Sequence, residues 1–420
     1  MANVSLRQAS TQSRRARLTV LREDLPRSFY EQVQSQPSGL ASSLVSGSST
    51  PLVEGRSRDI AAIRALIFAD KTWYLLIVMI LGFVAGILKA SPGMVFLLNF
   101  IGLIPLARIL GDATEEVSAA VKSGTIGGLL NATFGNAVEM ILTIQTIRAG
   151  LTTVTKGTLL GSILSNLLLV LGMSLFFGGL GAKGKEQTFN ESGPLANMTM
   201  LLLAALAFTV PTVLAQEADD LSVVVSVSRF ASIFTLISYF AFLVFQLYTH
   251  KTMFEDADDD GDTATMSLRA SCLLLLASTL LTVVGSQFLV SCIEDVVVEY
   301  GISQMFIGVV LLPIIGNACE HASAVRMAIH DKPILSIGIA VGSSTQIAMF
   351  LIPLSVLYGW MIGVPMDLNF KLLNALIFVL SVLIVTVILL DGKSQWIEGF
   401  MLQMTYCVIA CAYWFDDKGM

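Results

Sequence analysis

The stretch GNAVE, residues 135–139, places a carboxylate in the middle of an apolar segment. Apolar residues flank this block on both sides, at positions 126–130 and 140–144. An acidic side chain at the centre of a membrane helix costs roughly 2.5–3.5 kcal/mol on insertion scales. Because acidic residues inside membrane helices are rare and mostly functional, Glu139 is a candidate for a functional site.

The same block occurs again as GNACEH at residues 316–321, which is 181 residues further along the chain. A Gly-Ser pair keeps that distance, because Gly161-Ser162 recurs as Gly342-Ser343. One Gly-Asn pair in a membrane helix is often only a close packing contact with an interhelical hydrogen bond. Two matched blocks that each carry a glutamate instead indicate an internal duplication built around a functional site.

The composition is that of a protein with many membrane spans. Of the 420 residues, 55% are hydrophobic and only 13% are charged, and the mean hydropathy is +0.77. These values exclude an ordinary soluble protein. The net charge of −6 gives no indication of a nucleic-acid partner. The five cysteines lie in or beside apolar segments without CxxC spacing, which predicts buried thiols rather than a disulfide framework.

About eleven apolar segments are long enough to cross a bilayer, which takes about 20 residues. They lie at roughly 73–90, 93–111, 124–148, 157–180, 195–215, 228–249, 269–290, 304–329, 334–359, 371–390 and 396–415. The first segment has no counterpart in the duplication, so we predict an all-α polytopic membrane protein with one extra helix and two five-helix repeats. An odd number of spans in each half inserts the halves in opposite directions, as in the inverted repeats of many secondary transporters.

This pattern divides the chain into five predicted regions. They are a disordered cytosolic tail (1–65), the extra helix (66–92), the first repeat (93–250), an acidic cytosolic linker (251–268) and the second repeat (269–415). Arginines concentrate in the N-terminal tail, which by the positive-inside rule lies in the cytosol. Arg148 and Lys156 violate this rule, because the span count places them on the opposite face.

Each block pairs an asparagine with a glutamate at positions i and i+3, which puts both side chains on one helical face. The helix after each block repeats this spacing with polar side chains. The predicted ligands are Asn136, Glu139, Ser162, Ser165, Asn317, Glu320, Ser343 and Gln346. Such an all-oxygen set suits a hard cation such as Ca²⁺, which takes about 6–8 oxygen ligands. We expect Gly135 and Gly316 to permit a local helix break that frees backbone carbonyls as further ligands.

Further acidic residues lie nearer the ends of the predicted spans. They form one group of three and its approximate counterpart in the second half, namely Asp112, Glu115 and Glu116, and Glu294 and Asp295. Two interpretations stay open, an entry vestibule or proton relay on one side and solvated helix ends on the other. His321 follows the second glutamate directly, and a histidine titrates at about pH 6.5. It is therefore a candidate either for proton transfer or for hydrogen-bonded packing.

These motifs resemble the calcium/proton exchangers of the Ca²⁺/cation antiporter superfamily. The resemblance covers about residues 70–415 and is carried by the acidic linker and by GNAVE (135–139), GNACEH (316–321), GSILSN (161–166), GSSTQIA (342–348) and LGDATEE (110–116). It implies a multi-pass protein of the vacuolar or another acidic-organelle membrane that moves Ca²⁺ out of the cytosol in exchange for protons, without a cofactor. It also implies that Glu139 and Glu320 are the central acidic residues.

Other functions remain open at this point. Oxygen ligands do not exclude an exchanger that carries Mn²⁺ or is coupled to Na⁺. An intramembrane hydrolase using Glu320 and His321 would need a nucleophile or a metal triad, which the sequence does not supply. A passive channel fits two duplicated central carboxylates less well than alternating access does. We therefore predict an antiporter rather than an enzyme, with Ca²⁺, protons and the lipid bilayer as partners, and with homo-oligomerisation left open.

Overall fold

The computed structural model describes residues 51–68, 71–121, 123–217, 220–254 and 264–415. The first 50 residues of the predicted tail lie outside the described residues. Residues 255–263, which hold most of the acidic run of the predicted linker, lie outside them as well.

Most of the described chain is helical. The helices of its first part are α1 (Pro51–Ile67), α2 (Leu75–Ile87), α3 (Pro92–Val121), α4 (Gly124–Phe134), α5 (Ala137–Arg148), α6 (Thr152–Leu164), α7 (Leu171–Gly181), α8 (Ser192–Glu217) and α9 (Leu221–Val244). Those of its second part are α10 (Leu268–Ser291), α11 (Ile293–Tyr300), α12 (Gln304–Phe306), α13 (Leu312–Gly316), α14 (Ala318–Ile329), α15 (Pro333–Gln346), α16 (Ile352–Ile362), α17 (Leu372–Leu389) and α18 (Trp396–Phe415). Strands β1 (Glu186–Thr188) and β2 (Lys393–Gln395) pair antiparallel.

Several of these helices are continued by short π-helical segments, and some are long enough to span a membrane. The π segments are Ser165–Val170, Phe245–Thr249, Ile307–Leu311 and Ile347–Leu351. Within the described residues, seven helical stretches are long and apolar enough to cross a bilayer, or up to nine if each of two bent helix pairs is one span. The predicted helical, multi-spanning architecture is thus confirmed, while the count of eleven spans stays a prediction.

The duplication extends from the sequence motifs to the helix boundaries. Helices α5 and α14 have 12 residues each, and their first residues are 181 positions apart. Helices α6 and α15 also begin 181 positions apart, and each continues into a π segment. Helices α7 and α16 keep the same distance at both of their ends. The two halves therefore share one local architecture around the GNAVE and GNACEH blocks.

Two predicted boundaries differ from the structure. Residues 51–65, predicted to be disordered, belong to α1, where the Asp59 carboxylate accepts hydrogen bonds from the amide and hydroxyl of Ser267 at 2.8 and 2.6 Å. These two hydrogen bonds connect α1 to the residue that precedes α10, and they stabilise α1 in a folded position. Helix α3 extends to Val121, ten residues beyond the predicted span, because no glycine or proline interrupts residues 112–121.

The structure gives the surroundings of the two basic residues that violate the positive-inside rule. Lys156 donates to the Asp367 carboxylate at 2.6 Å and to the Asn369 carbonyl at 2.9 Å, so its charge is neutralised locally. Arg148 lies in the last turn of α5, where a cation interacts favourably with the helix dipole. The orientation of the chain in the membrane stays a prediction.

The prediction that all five cysteines are buried is wrong for three of them. Cys272, Cys407 and Cys411 are exposed on the apolar surfaces of α10 and α18, which a lipid bilayer would cover. Cys292 is buried, and Cys319 is partly exposed. All five are free thiols.

Candidate cation site

Both duplicated blocks interrupt their helices at the asparagine. Asn136 separates α4 from α5 with φ −103° and ψ 34°, and Asn317 separates α13 from α14 with φ −87° and ψ 14°. Gly135 keeps helical angles, so the predicted glycine break lies one residue later than expected. The carbonyls of the two asparagines accept from the amides of Met140 and His321 at 3.0 Å. The break therefore leaves neither of these two carbonyls unbonded.

The glycine of the second block instead allows a close approach between the halves. A Cβ atom added at Gly316 would lie 2.5 Å from Oε1 of Glu139. The carboxylate of the first block thus packs directly against the backbone of the second, and any larger residue at position 316 would displace it. This contact brings the two GNA blocks together in one site.

Hydrogen bonds connect each block to the Gly-Ser helix of the other half. The Asn136 amide nitrogen donates to Oε1 of Gln346 at 2.7 Å, and its oxygen accepts from the Ser343 hydroxyl at 2.8 Å. In the mirrored position, the Asn317 amide nitrogen donates to the Ser162 carbonyl at 3.1 Å. Five of the eight predicted ligands are therefore joined across the interface between the halves, in the register that the duplication predicts.

Asn166 is a site residue that the sequence analysis did not include. Its amide nitrogen donates to the Ser343 hydroxyl at 3.0 Å, and the residue is fully buried. Position 347, which matches it in the duplication, holds an isoleucine, so the repeat gives no signal there. The available signal was an amide side chain in an otherwise apolar helix, at the end of GSILSN.

A cavity of about 310 Å³ reaches the site from one face. It is lined by Glu320 and by Glu115 of α3, whose side chain is exposed. Phe254, which precedes the acidic linker, also lines it. The cavity therefore opens on the face that carries the linker, which the sequence predicts to be cytosolic.

The eight predicted ligands form four pairs related by the duplication, and in each pair one residue lines the cavity and the other does not. Those that line the cavity are Asn136, Glu320, Ser343 and Gln346. Their counterparts 181 positions away do not line it and are at most 1% exposed, namely Asn317, Glu139, Ser162 and Ser165. Each of the four pairs thus has one member that faces the cavity and one that is sealed from it.

Several oxygens at the site have no hydrogen-bond partner among the described residues. They are both carboxylate oxygens of Glu139, Oε2 of Glu320, Oδ1 of Asn317, Oδ1 of Asn166, and the hydroxyl oxygens of Ser162 and Ser165. A buried polar group without a partner costs about 1–3 kcal/mol, and more when it is charged. A bound cation, or a proton on each carboxylate, would remove this cost. Among the described residues, no three His, Cys, Asp or Glu side chains are arranged so that they could hold a metal ion, so a cation here would need neutral oxygens as well.

The acidic residues near the helix ends fall into two groups. Glu115 lines the cavity. The Glu116 carboxylate instead accepts hydrogen bonds from the amide and the hydroxyl of Thr265, at 3.0 and 2.7 Å, and so holds the segment before α10 against α3. Glu294 and Asp295 are exposed in the first turn of α11 and do not line the cavity. Of these acidic residues, Glu115 alone is therefore placed as a vestibule residue would be.

Two other predicted residues, His321 and Ser165, do not line the cavity. Nδ1 of His321 lies 2.7 Å from the Asn317 carbonyl of the preceding turn, and the ring does not line the cavity. The Ser165 hydroxyl and the Tyr406 hydroxyl of α18 are both buried without a hydrogen-bond partner among the described residues. The contact of His321 holds its ring beside the site.

The amino-acid sequence matches one protein-family model and several known proteins that carry similar names. Residues 91–248 and 270–415 match the family model "Sodium/calcium exchanger protein". The chain is 39% identical over 395 residues to vacuolar cation/proton exchanger 3 of Oryza sativa subsp. japonica, which covers 90% of this chain and 94% of the relative. It is 40% identical over 344 residues to vacuolar cation/proton exchanger 5 of Arabidopsis thaliana, covering 79% and 78%.

Solved structures agree with these sequence matches. Native YfkE superposes with a TM-score of 0.71 at 34% identity, covering 82% of this chain and 99% of that structure. The H⁺/Ca²⁺ exchanger CAX, at 14% identity, shares the fold with a TM-score of 0.62 over 83% and 92% of the chains. The motif resemblance is thus confirmed, and the chain belongs to the sodium/calcium exchanger protein family, as a membrane transporter rather than an enzyme.

Proposed function

We propose that the protein moves Ca²⁺ from the cytosol into a vacuole or another acidic organelle in exchange for protons. Proton-coupled cation exchange is the activity named for its relatives, the vacuolar cation/proton exchangers and the Ca²⁺/H⁺ antiporter protein YfkE. The choice of Ca²⁺ rests on the all-oxygen character of the site. A hard cation with irregular coordination suits two carboxylates, amide oxygens and hydroxyls.

One observation carries the proposal, the division of the four ligand pairs between open cavity and sealed interior. If the two halves exchange conformations, Glu139 and the three other sealed ligands (Asn317, Ser162 and Ser165) come to line an open cavity. Glu320 and the three ligands that now line the cavity (Asn136, Ser343 and Gln346) then become sealed. A site that faces one side and then the other is the requirement of alternating access. The helix breaks at Asn136 and Asn317 supply the places where each half can bend.

The exchange follows from competition at the two glutamates. A carboxylate can hold either Ca²⁺ or a proton, but hardly both. At cytosolic pH, Ca²⁺ enters the cavity, meets Glu320 and the oxygens of Ser343 and Gln346, and displaces protons. At the lower pH of the lumen, protonation of Glu139 and Glu320 removes the negative charge and releases the cation. Because each state binds one ion or the other, the two gradients become coupled.

The gradients of an acidic organelle can supply the energy. Moving Ca²⁺ against a roughly 10⁴-fold gradient costs about 5.6 kcal/mol, at about 1.4 kcal/mol for each factor of ten. A pH difference of about two units yields about 2.7 kcal/mol for each proton. Two protons therefore nearly balance one Ca²⁺ before any membrane potential is counted, and two central carboxylates are compatible with that number.

The proposal is tested with the purified full-length protein in proteoliposomes that are acidic inside. We expect ⁴⁵Ca²⁺ uptake that stops when the pH gradient is collapsed and that an imposed Na⁺ gradient does not restore. Na⁺ gains less than Ca²⁺ from two carboxylates because it has half the charge, so it should not replace the protons. Uptake driven by Na⁺ at matched pH would overturn the proposal and make the protein a sodium-coupled exchanger.

Selectivity is tested in the same vesicles by adding competing ions. Mn²⁺ accepts oxygen ligands and should reduce ⁴⁵Ca²⁺ uptake most among the physiological divalent cations. Mg²⁺ demands near-octahedral geometry and releases water reluctantly, so it should compete poorly. Competition by Mg²⁺ equal to that of unlabelled Ca²⁺ would contradict the proposed ligand set. Proton-driven uptake of Mn²⁺ that exceeds that of Ca²⁺ would favour the alternative, an Mn²⁺/H⁺ exchanger.

A further inference from the structure

On the sealed side of the site, two backbones are in direct contact. A Cβ atom added at Gly161 of α6 would lie 2.3 Å from the Val309 carbonyl oxygen and 2.5 Å from its Cα. One turn earlier, a Cβ at Gly157 would lie 3.2 Å from Cα of Gly308. Only glycine permits such an approach at position 161. The contact between α6 and the π segment Ile307–Leu311 therefore closes the sealed side.

The matching glycines on the open side have no such contact. Gly338 and Gly342 of α15 lie 181 positions after Gly157 and Gly161, and both line the cavity. A Cβ added at either would meet no atom of the described chain within 4 Å. The same two helical positions are thus closed in one half and open in the other.

The duplication also identifies the backbone that should close on α15. Gly308 and Val309 correspond to Gly127 and Gly128 of α4, which again are 181 positions away. In this structure α4 packs elsewhere, because Gly127 faces the Ser118 carbonyl of α3 and Gly128 faces the Leu247 side chain. Two adjacent glycines leave α4 without side chains that would keep it apart from α15.

We infer that Gly127 and Gly128 of α4 form a backbone gate with Gly338 and Gly342 of α15. This gate is open in the present structure and closes the cavity in the opposite state, while the contact of α6 with Gly308 and Val309 opens. The inference rests on the proposed alternating access. A second feature agrees with it, since the unpartnered carboxylate of Glu139 lies on the side that α6 closes.

The decisive variant is Gly342→Ala. Its methyl group has free space in this structure, and alanine favours a helix more than glycine does, so the protein should fold normally. In the closed gate the methyl group would meet the α4 backbone, as a Cβ at Gly161 meets Val309. We expect proton-driven ⁴⁵Ca²⁺ uptake to fall at least tenfold. The matched control is Gly181→Ala at the end of α7, which also has no neighbour within 4 Å and should transport within twofold of the wild type.

Labelling of Cys319 reads the state of the gate without measuring transport. Cys319 lines the open cavity, whereas its counterpart Val138 is only 4% exposed, so the thiol should become protected when the gate closes. The reporter carries Cys319 alone, with the other four cysteines replaced by alanine, and is treated with a maleimide. At a fixed pH, Gly342→Ala should raise the labelling rate and make it insensitive to Ca²⁺, because the reacting thiolate fraction is then constant. Gly161→Ala, which disturbs the closed contact, should lower it.

The two readouts separate this inference from the proposed function. Uptake by Gly342→Ala at the rate of Gly181→Ala, or Cys319 labelling that neither variant changes, would overturn the gate. In that case proton-driven Ca²⁺ uptake by the wild type would still support the proposed function. If the wild type takes up no Ca²⁺, the proposed function fails, and opposite labelling shifts in the two glycine variants would still support the gate.

Discussion

Replacing Glu139 or Glu320 by glutamine should reduce proton-driven Ca²⁺ uptake below a tenth of the wild-type rate. Glutamine keeps the shape of the side chain but can neither carry the negative charge that holds Ca²⁺ nor deliver a proton. A neutral amide is also cheaper to bury than a carboxylate, so abundance and thermal stability should stay near those of the wild type. The measurement is the initial rate of ⁴⁵Ca²⁺ uptake per purified protein in matched proteoliposomes.

The matched control for the glutamate variants is Glu299→Gln. Glu299 is exposed on α11 and does not line the cavity, so the same change of charge there should leave uptake within twofold of the wild type. A residual rate above a tenth of the wild type in Glu139→Gln or Glu320→Gln would contradict a site shared by the two halves. Equal losses in all three variants would point to a general effect of charge.

The second large effect is expected for Asn136 and Asn317, whose side chains form hydrogen bonds with residues of the other half. Asn136→Ala removes the bonds to Ser343 and Gln346, and Asn317→Ala removes the bond to the Ser162 carbonyl. Leaving such buried partners unpaired costs about 1–3 kcal/mol, which corresponds to a loss of roughly 5- to 150-fold. We expect each variant to lose at least about fivefold in uptake, because these bonds position the ligands.

The control for the asparagine variants is Asn374→Ala. Asn374 is also buried and accepts a hydrogen bond from the Tyr413 hydroxyl at 2.8 Å, but it lies on α17 away from the cavity. This variant should lower the midpoint of thermal unfolding while uptake per folded molecule stays near that of the wild type. If Asn374→Ala lost as much uptake as Asn136→Ala, the effect would be one of stability rather than of ligand positioning.

Much of this site could be predicted from the sequence because a buried carboxylate is costly. The intramembrane position of Glu139 identified the first block, and the distance of 181 residues then located Glu320 and its neighbours. The structure brings Asn136, Ser343 and Gln346 into contact in that register. The sequence shows that Lys156 violates the positive-inside rule, but only the structure shows that it pairs with Asp367.

Other features depend on backbone geometry that no motif encodes. Asn166 reaches Ser343 from within the π segment Ser165–Val170, and a π turn changes which side chains face a neighbouring helix. The break falls at the asparagines because Gly135 is held in helical geometry. The role of Gly316 lies in close approach to Glu139, which depends on how two helices cross.

Proton release on Ca²⁺ binding tests the central claim most directly, because it needs neither a membrane nor a gradient. Ca²⁺ is added to the purified, detergent-solubilised protein in weakly buffered solution between about pH 5 and pH 8, and a pH indicator records the protons released. If Glu139 and Glu320 hold either Ca²⁺ or protons, binding should release protons, and the double variant Glu139→Gln/Glu320→Gln should release none. Saturable Ca²⁺ binding by the wild type without proton release at any pH in this range would contradict the account.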